Sequence, residues 1–113
     1  MDLSLLHDEI KEWHEKTFPD ATLSGQLIKL EEELKEYDEA ETFADELNEA
    51  VDVYIVCCGL DRWDSEISKV VKSRLILLIN EDFINALKAK HEKNLKRVWV
   101  KTQEGTFHHT NKE

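Results

Sequence analysis

Two pairs of carboxylates stand out: Glu33 with Glu36, and Glu49 with Asp52. Residues three apart share one face of a helix, so each pair can aim its oxygens at one point. Asp52 is the unusual member. From Ala50 to Leu60 every other residue is apolar or glycine. A helix apolar on all sides is a buried helix. An ionised carboxylate there is costly unless a positive group meets it. Oxygen-only donors suit hard divalent cations, so Glu33, Glu36, Glu49 and Asp52 are candidate ligands for Mg²⁺, with Mn²⁺ as a substitute. The spacing alone proves little. Glu9/Glu12, Glu12/Glu15, Glu36/Glu39 and Glu46/Glu49 repeat it, and in an acidic chain it mostly marks solvated faces. Other metal sites fit worse. No Glu-x-x-His motif, EF-hand loop or zinc-type cysteine spacing is present.

The elements that must position these acids read as helices. Leu3, Leu6, Ile10, Trp13 and Thr17 follow helical spacing, which predicts a helix over residues 3–17. Phe18-Pro19-Asp20 ends it, and Pro19 is the only proline. Leu23, Leu27, Leu30, Leu34 and Tyr37 form the stripe of a second helix, roughly residues 22–39. Gln26, Lys29, Glu33 and Glu36 run beside that stripe, so the acids flank the core. A third helix starts at Thr42, a plausible N-cap, and runs to about Leu60. A fourth starts at Asp64 or Ser65, with Ile67, Val70, Val71, Leu75 and Leu78 on one face. Near Asn80 the register shifts to Phe83, Ile84 and Leu87, which predicts a break. The last helix is expected to end near Arg97. Beyond it, Val98 to Thr110 is either a hairpin about Glu104-Gly105 or a tail. The expected fold is an all-α bundle of four or five helices, one domain over residues 1–113.

The short link Glu39-Ala40-Glu41 makes helices two and three an antiparallel hairpin. At 1.5 Å per residue the two acid pairs are offset by about 6 Å along the axis. Side chains lean toward their own N-termini, which reduces the offset to about 3 Å. All four carboxylates can then share a site.

Charge is unevenly spread. The chain of 113 residues carries 25 acids and 15 bases, net −10. Eleven acids and one base, Lys35, lie between Glu31 and Asp52. Six bases and one acid lie between Lys88 and Lys101. The net charge argues against nonspecific nucleic-acid binding and against an anionic membrane surface. An acidic centre with a basic C-terminal segment suits a metal–polyphosphate ligand; two solvated faces are the alternative. No apolar run is long enough to span a membrane, and the start does not read as a signal peptide. Adjacent Cys57 and Cys58 in the apolar helix read as small core residues, which fits a reducing compartment. A cytoplasmic protein is expected. The third helix, apolar all round, leaves a face that so few helices cannot cover, which predicts a homodimer or homotetramer.

The order Glu32-Glu33-x-x-Glu36, twelve residues, then Glu49-x-x-Asp52 resembles the MazG-like nucleoside triphosphate pyrophosphohydrolases, all-α enzymes related to dimeric dUTPases. Glu9-Ile10-x-x-Trp13, Thr17 to Thr22 and Gln26-Leu27-x-Lys29-Leu30 are similar to the start of compact bacterial and phage members. Lys93-Asn94-x-x-Arg97-x-Trp99 and Gly105-Thr106-x-His108-His109 are similar to their end. Residues 61–82 depart, because that stretch is longer than in compact members. The resemblance implies Mg²⁺-dependent cleavage of a (d)NTP to the monophosphate and pyrophosphate, with nucleotide-pool house-cleaning as a role. Glu33, Glu36, Glu49 and Asp52 would be ligands. Glu32 would orient or deprotonate water, or be a surface acid. Lys29 would reach a phosphate, or pair with Glu33. Lys93, Asn94, Lys96 and Arg97 would meet phosphate or sugar. His108 and His109 would add a ligand, touch nucleotide, or lie in a tail. Trp13 reads as core or base-stacking, and Trp63 and Trp99 are equally open. His7, His14 and His91 read as surface residues. Two other readings stand beside this one: a phosphoribosyl-ATP pyrophosphatase-like enzyme, and a non-catalytic helical interaction protein whose Asp52 pairs with a buried lysine or arginine.

Overall fold

The apolar run forms the central helix. In the computed structural model, which describes residues 2–101 and 105–109, it lies within α3 (Phe43–Leu60). The helices around it are α1 (Leu3–Thr17), α2 (Leu23–Asp38), α4 (Glu66–Arg74) and α5 (Glu81–Leu95), and all four pack against α3. A two-stranded antiparallel hairpin follows, β1 (Trp99–Lys101) and β2 (Phe107–His109), with Trp99 opposite His109. This is the expected all-α bundle, with a hairpin at the C-terminal end. No helix is long and apolar enough to cross a membrane among the described residues.

Local chemistry sets the helix starts. The Thr22 hydroxyl accepts from the Gly25 amide at 3.0 Å, and the Thr42 hydroxyl from the Asp45 amide at 3.1 Å. Each satisfies a donor that the first turn leaves free. The register shift near Asn80 is a true helix start, with the Asn80 side chain accepting from the Phe83 amide at 3.0 Å. The last helix ends two residues before Arg97, at Leu95.

Two expectations need correcting. Every residue from Ala50 to Leu60 except Asp52 is buried within one chain. Four helices, α1, α2, α4 and α5, close round α3, so its apolar surround does not by itself require a second copy. The face expected for the fourth helix also differs. Ile67 and Val70 are about half exposed, while Ser68, Val71 and Leu75 face the core. Ser68 takes a core position because its hydroxyl donates to the Cys57 carbonyl at 3.0 Å. A hydropathy pattern passes over such a satisfied serine. Cys57 and Cys58 are both free and buried, as small core residues.

Gly25 anchors the hairpin over the bundle. A Cβ there would run into the Gly105 carbonyl, and Gly105 holds a positive φ of 88°. Of the turn expected at Glu104-Gly105, Glu104 lies outside the described residues. Helix propensity alone favours Gly25→Ala by up to about 1 kcal/mol. The close approach reverses that sign. Gly25→Ala is expected to lower the melting temperature and to change tryptophan fluorescence as Trp99 shifts with the hairpin; a raised Tm with unchanged fluorescence would contradict the contact.

Candidate active site

The two acid pairs meet. Glu33 and Glu36 on α2 and Glu49 on α3 place carboxylate oxygens within 4.8 Å of one another. Asp52, one turn on from Glu49, lines the same cavity of about 410 Å³. Glu33 is buried, Glu49 and Asp52 are half-buried, and Glu36 is exposed at the mouth. Glu33 Oε2 and Glu49 Oε2 are buried with no hydrogen-bond partner among the described residues.

Crowding and burial raise the proton affinity of this cluster. Burial, then the Asp52 charge, pushes the Glu33 carboxyl up to about 8. Burial and Asp52 also raise Glu49. Asp52 is raised by burial, with Lys90 opposing. Two ammonium groups offset part of the charge: Lys29 Nζ lies 3.4 Å from Glu33 and 3.9 Å from Glu32, and Lys90 Nζ lies 3.3 Å from Asp52. Both pairings are the plain alternatives that the sequence left open for Lys29 and Asp52.

The basic wall comes from α5 and the residues after it. Lys90, Asn94 and Arg97 follow i, i+4, i+7 spacing and line the cavity. Lys93 and Lys96, the other expected substrate contacts, are exposed and do not line it. They sit three and six residues from Lys90, turned toward solvent. Lys90 is the basic residue that sequence reasoning passed over; its spacing from Asn94 was the available signal. Arg97 Nη1 donates to Asn94 Oδ1 at 2.9 Å, while its buried Nε has no partner among the described residues. The hairpin closes one side. His108 Nε2 lies 3.7 Å from Glu32, and His109 also lines the cavity.

A second, narrower cleft of about 60 Å³ opens beside the acids. Trp13, Phe18, Trp99 and Phe107 wall it, and Lys29, Ile55, Val56, Asn94 and Trp99 belong to both spaces. Trp13 meets Phe18 and Trp99 edge-on at 5.5 and 5.8 Å. Trp13 is thus half-buried within an aromatic cluster, and Trp63 lies under the Arg62 guanidinium at 4.8 Å. The histidine expectations need correction. His14 and His91 are buried, and His7 is half-buried with Nε2 2.6 Å from Asp61. His14 bonds Gln26 and Arg62, partners 12 and 48 residues away that no local pattern reveals. Burial, then the Arg62 charge, holds the His14 imidazole down to about 4.

Residues 6–113 match the family model of dATP/dGTP pyrophosphohydrolases. The chain belongs to this family. Among solved structures, the cyanophage S-2L MazG-like pyrophosphohydrolase bound to dGDP and three catalytic Mn²⁺ ions per active site is 25% identical. That alignment covers 100% of this chain and 97% of the other, with a TM-score of 0.46. No curated protein matches the chain. As a member of the family, the chain is a dNTP pyrophosphohydrolase, the enzyme class that the MazG-like resemblance implied. The matched span contains both acid pairs, Lys90, Asn94, Arg97 and the hairpin.

The raised Glu33 affinity has a sign that stability measurements can read. Between the ordinary carboxylate value and about 8, folded Glu33 keeps a proton that the unfolded chain has lost. Stability therefore falls as pH rises across that window. In chelator-treated protein, Glu33→Gln is expected to raise Tm at pH 8 and to leave it nearly unchanged at pH 4. An equal gain at both pH values would show that the benefit is not the proton.

Proposed function

We propose that this pyrophosphohydrolase cleaves a purine deoxynucleoside triphosphate to the monophosphate and pyrophosphate with Mg²⁺, and that Mn²⁺ can replace it. The observation that carries the reading is one cavity in which the acids of α2 and α3 face Lys90, Asn94 and Arg97. The donor set fits hard cations: all the acids offer oxygen, and Glu33 Oε2 and Glu49 Oε2 are buried without partners among the described residues. Glu33, Glu36, Glu49 and Asp52 would hold the metal. A divalent ion there supplies charge neutralisation for the triphosphate and makes water more acidic.

The chain's own groups divide the remaining work. Glu32 is half-exposed between Lys29 and His108 and accepts the proton of the attacking water. The water oxygen bonds to the α-phosphorus, and the bond from that phosphorus to its bridging oxygen breaks. Pyrophosphate leaves with the bridging oxygen. Arg97 keeps a planar set of donors for phosphate oxygens beyond its bond to Asn94. Lys29 and Lys90, now paired with acids, stand within the cavity to meet phosphate charge. The base takes the aromatic cleft, which is small as it stands, so a purine displaces Trp99 or Phe107 on entry. Self-association into a dimer or tetramer belongs to the same reading, through the exposed apolar strip Ile67, Val70, Ile76 and Leu77.

The deciding experiment is pyrophosphate release from each dNTP with Mg²⁺ or Mn²⁺, run in ¹⁸O-water. Label in the monophosphate is expected; label only in pyrophosphate, or release of orthophosphate alone, would reject attack at the α-phosphorus. Asp52→Asn is expected to lower kcat by ~100-fold or more, as loss of a metal-site group does. The same variant should lose the rise in Tm that Mg²⁺ gives by binding the native state. Activity that survives loss of Glu49 and Asp52 together would mean that the site is elsewhere.

A further inference from the structure

We infer that Gln26 reads the edge of the base, and that Arg62 is a positioning residue that sets which way the Gln26 amide faces. The inference rests on the reading of the aromatic cleft as the base subsite, and it concerns residues outside the acid cavity. Arg62 follows α3, in the 61–82 stretch that departs from compact relatives of the resemblance.

Donors and acceptors fix the direction of these bonds. A guanidinium only donates. Arg62 Nη1 lies 3.0 Å from His14 Nδ1 and 2.9 Å from the Phe18 carbonyl oxygen. His14 Nδ1 therefore accepts, which leaves the proton of the neutral ring on Nε2. That nitrogen lies 3.1 Å from Gln26 Oε1 and donates to it. At the other end of the amide, Gln26 Nε2 donates to the Val56 carbonyl oxygen at 3.1 Å. A carbonyl only accepts, so both ends demand the same orientation of the amide. The chain of donation runs one way: Arg62 to His14 to Gln26 to Val56. Burial and the guanidinium both keep His14 neutral, which preserves the sequence of donors.

Space is reserved for this chain. Gly59 lies inside α3, where glycine costs about 1 kcal/mol relative to alanine. A Cβ at that position would come within 2.6 Å of Gln26 Nε2 and 2.9 Å of the His14 ring. The glycine is accounted for by the pair it accommodates.

These two bonds use one of the two N–H groups of the Gln26 amide and one of the two lone pairs of its oxygen. Gln26 lines the cleft between the rings of Trp13, Phe18, Trp99 and Phe107. It is one helical turn from Lys29, which lines both spaces. An amide offering one donor and one acceptor side by side matches an exocyclic amine next to a ring nitrogen. Adenine presents that pattern at N6 with N1 or N7, and guanine at N2 with N3. The ligand class is an amino-substituted purine.

The test compares each natural substrate with its analogue lacking the amine: dATP against the deoxyriboside triphosphate of unsubstituted purine, and dGTP against dITP. The ratio of kcat/KM within a pair cancels any general loss of activity. The unmodified chain is expected to favour the amine in at least one pair by ~10-fold or more, the worth of a good bidentate contact. Gln26→Leu and Arg62→Met should bring that ratio close to one, and Arg62→Lys, which also only donates, should restore part of it. ¹⁵N NMR of the unmodified chain should show the His14 proton on Nε2, and Arg62→Met should mix the tautomers. A proton on Nδ1 in the unmodified chain, no preference for the amine in either pair, or an unchanged ratio in either Gln26→Leu or Arg62→Met would overturn the inference. Failure to cleave any dNTP would instead defeat the proposed reaction, and the tautomer measurement would still decide the role of Arg62.

Discussion

The structure turns on mutual repulsion among carboxylates held together against an apolar wall. Glu33, Glu36 and Glu49 bring oxygens within 4.8 Å of one another, and Asp52 stands beside them on the buried helix α3. Such a cluster opposes folding until positive charge reaches it. Lys29 and Lys90 supply part of that charge, each from a position that also faces the cavity. The rest of the bundle must hold the cluster in place. It does so by burying α3 between four other helices. Local instability at the site is thus supported by packing elsewhere, as is common where chemistry needs groups that would otherwise move apart.

Helix α2 links the two halves of the site. Gln26, Lys29, Glu33 and Glu36 form one stripe on it, spaced three or four residues apart. At 1.5 Å per residue the stripe covers about 15 Å. One end lies at the aromatic cleft and the other at the acids. A nucleotide is itself a long molecule with an apolar, hydrogen-bonding end and a charged end. The helix grades from a neutral amide through an ammonium to carboxylates in the same sense. The C-terminal hairpin covers both spaces, with Phe107 at the cleft and His108 near Glu32. Its seat on α2 depends on the absence of a side chain at Gly25.

Farther along the same face of α3, at Val56 and Gly59, polar groups are arranged by direction of donation more than by charge. Arg62, His14 and Gln26 come from three separate elements and form an ordered series of hydrogen bonds. Asp61 gathers His7 and Lys72 at 2.6 and 2.7 Å close by. Both arrangements use residues just after α3. The longer segment there adds Val71 and Leu75 to the core and supplies the groups that tie α1 to the end of α3.

The sequence by itself determined the helical elements and the central acids. Periodicity and the Thr42 cap are local properties, and the N-cap bond to Asp45 follows from them. Asp52 was legible because a lone acid in an apolar run is anomalous wherever the chain folds. The meeting of the two acid pairs was legible because a short link leaves two helices one way to pack. Tertiary structure alone decided the rest. Whether α3 was covered depended on four helices closing round it, which no local pattern reports. Lys90 joined the site and Lys93 and Lys96 did not, because the rotation of α5 about its axis is set by Phe83 and Leu87 in the core. His14 looked like a surface residue because its partners lie in α2 and beyond α3. A buried polar residue takes its place from the groups that satisfy it, and those groups are brought near only by the fold.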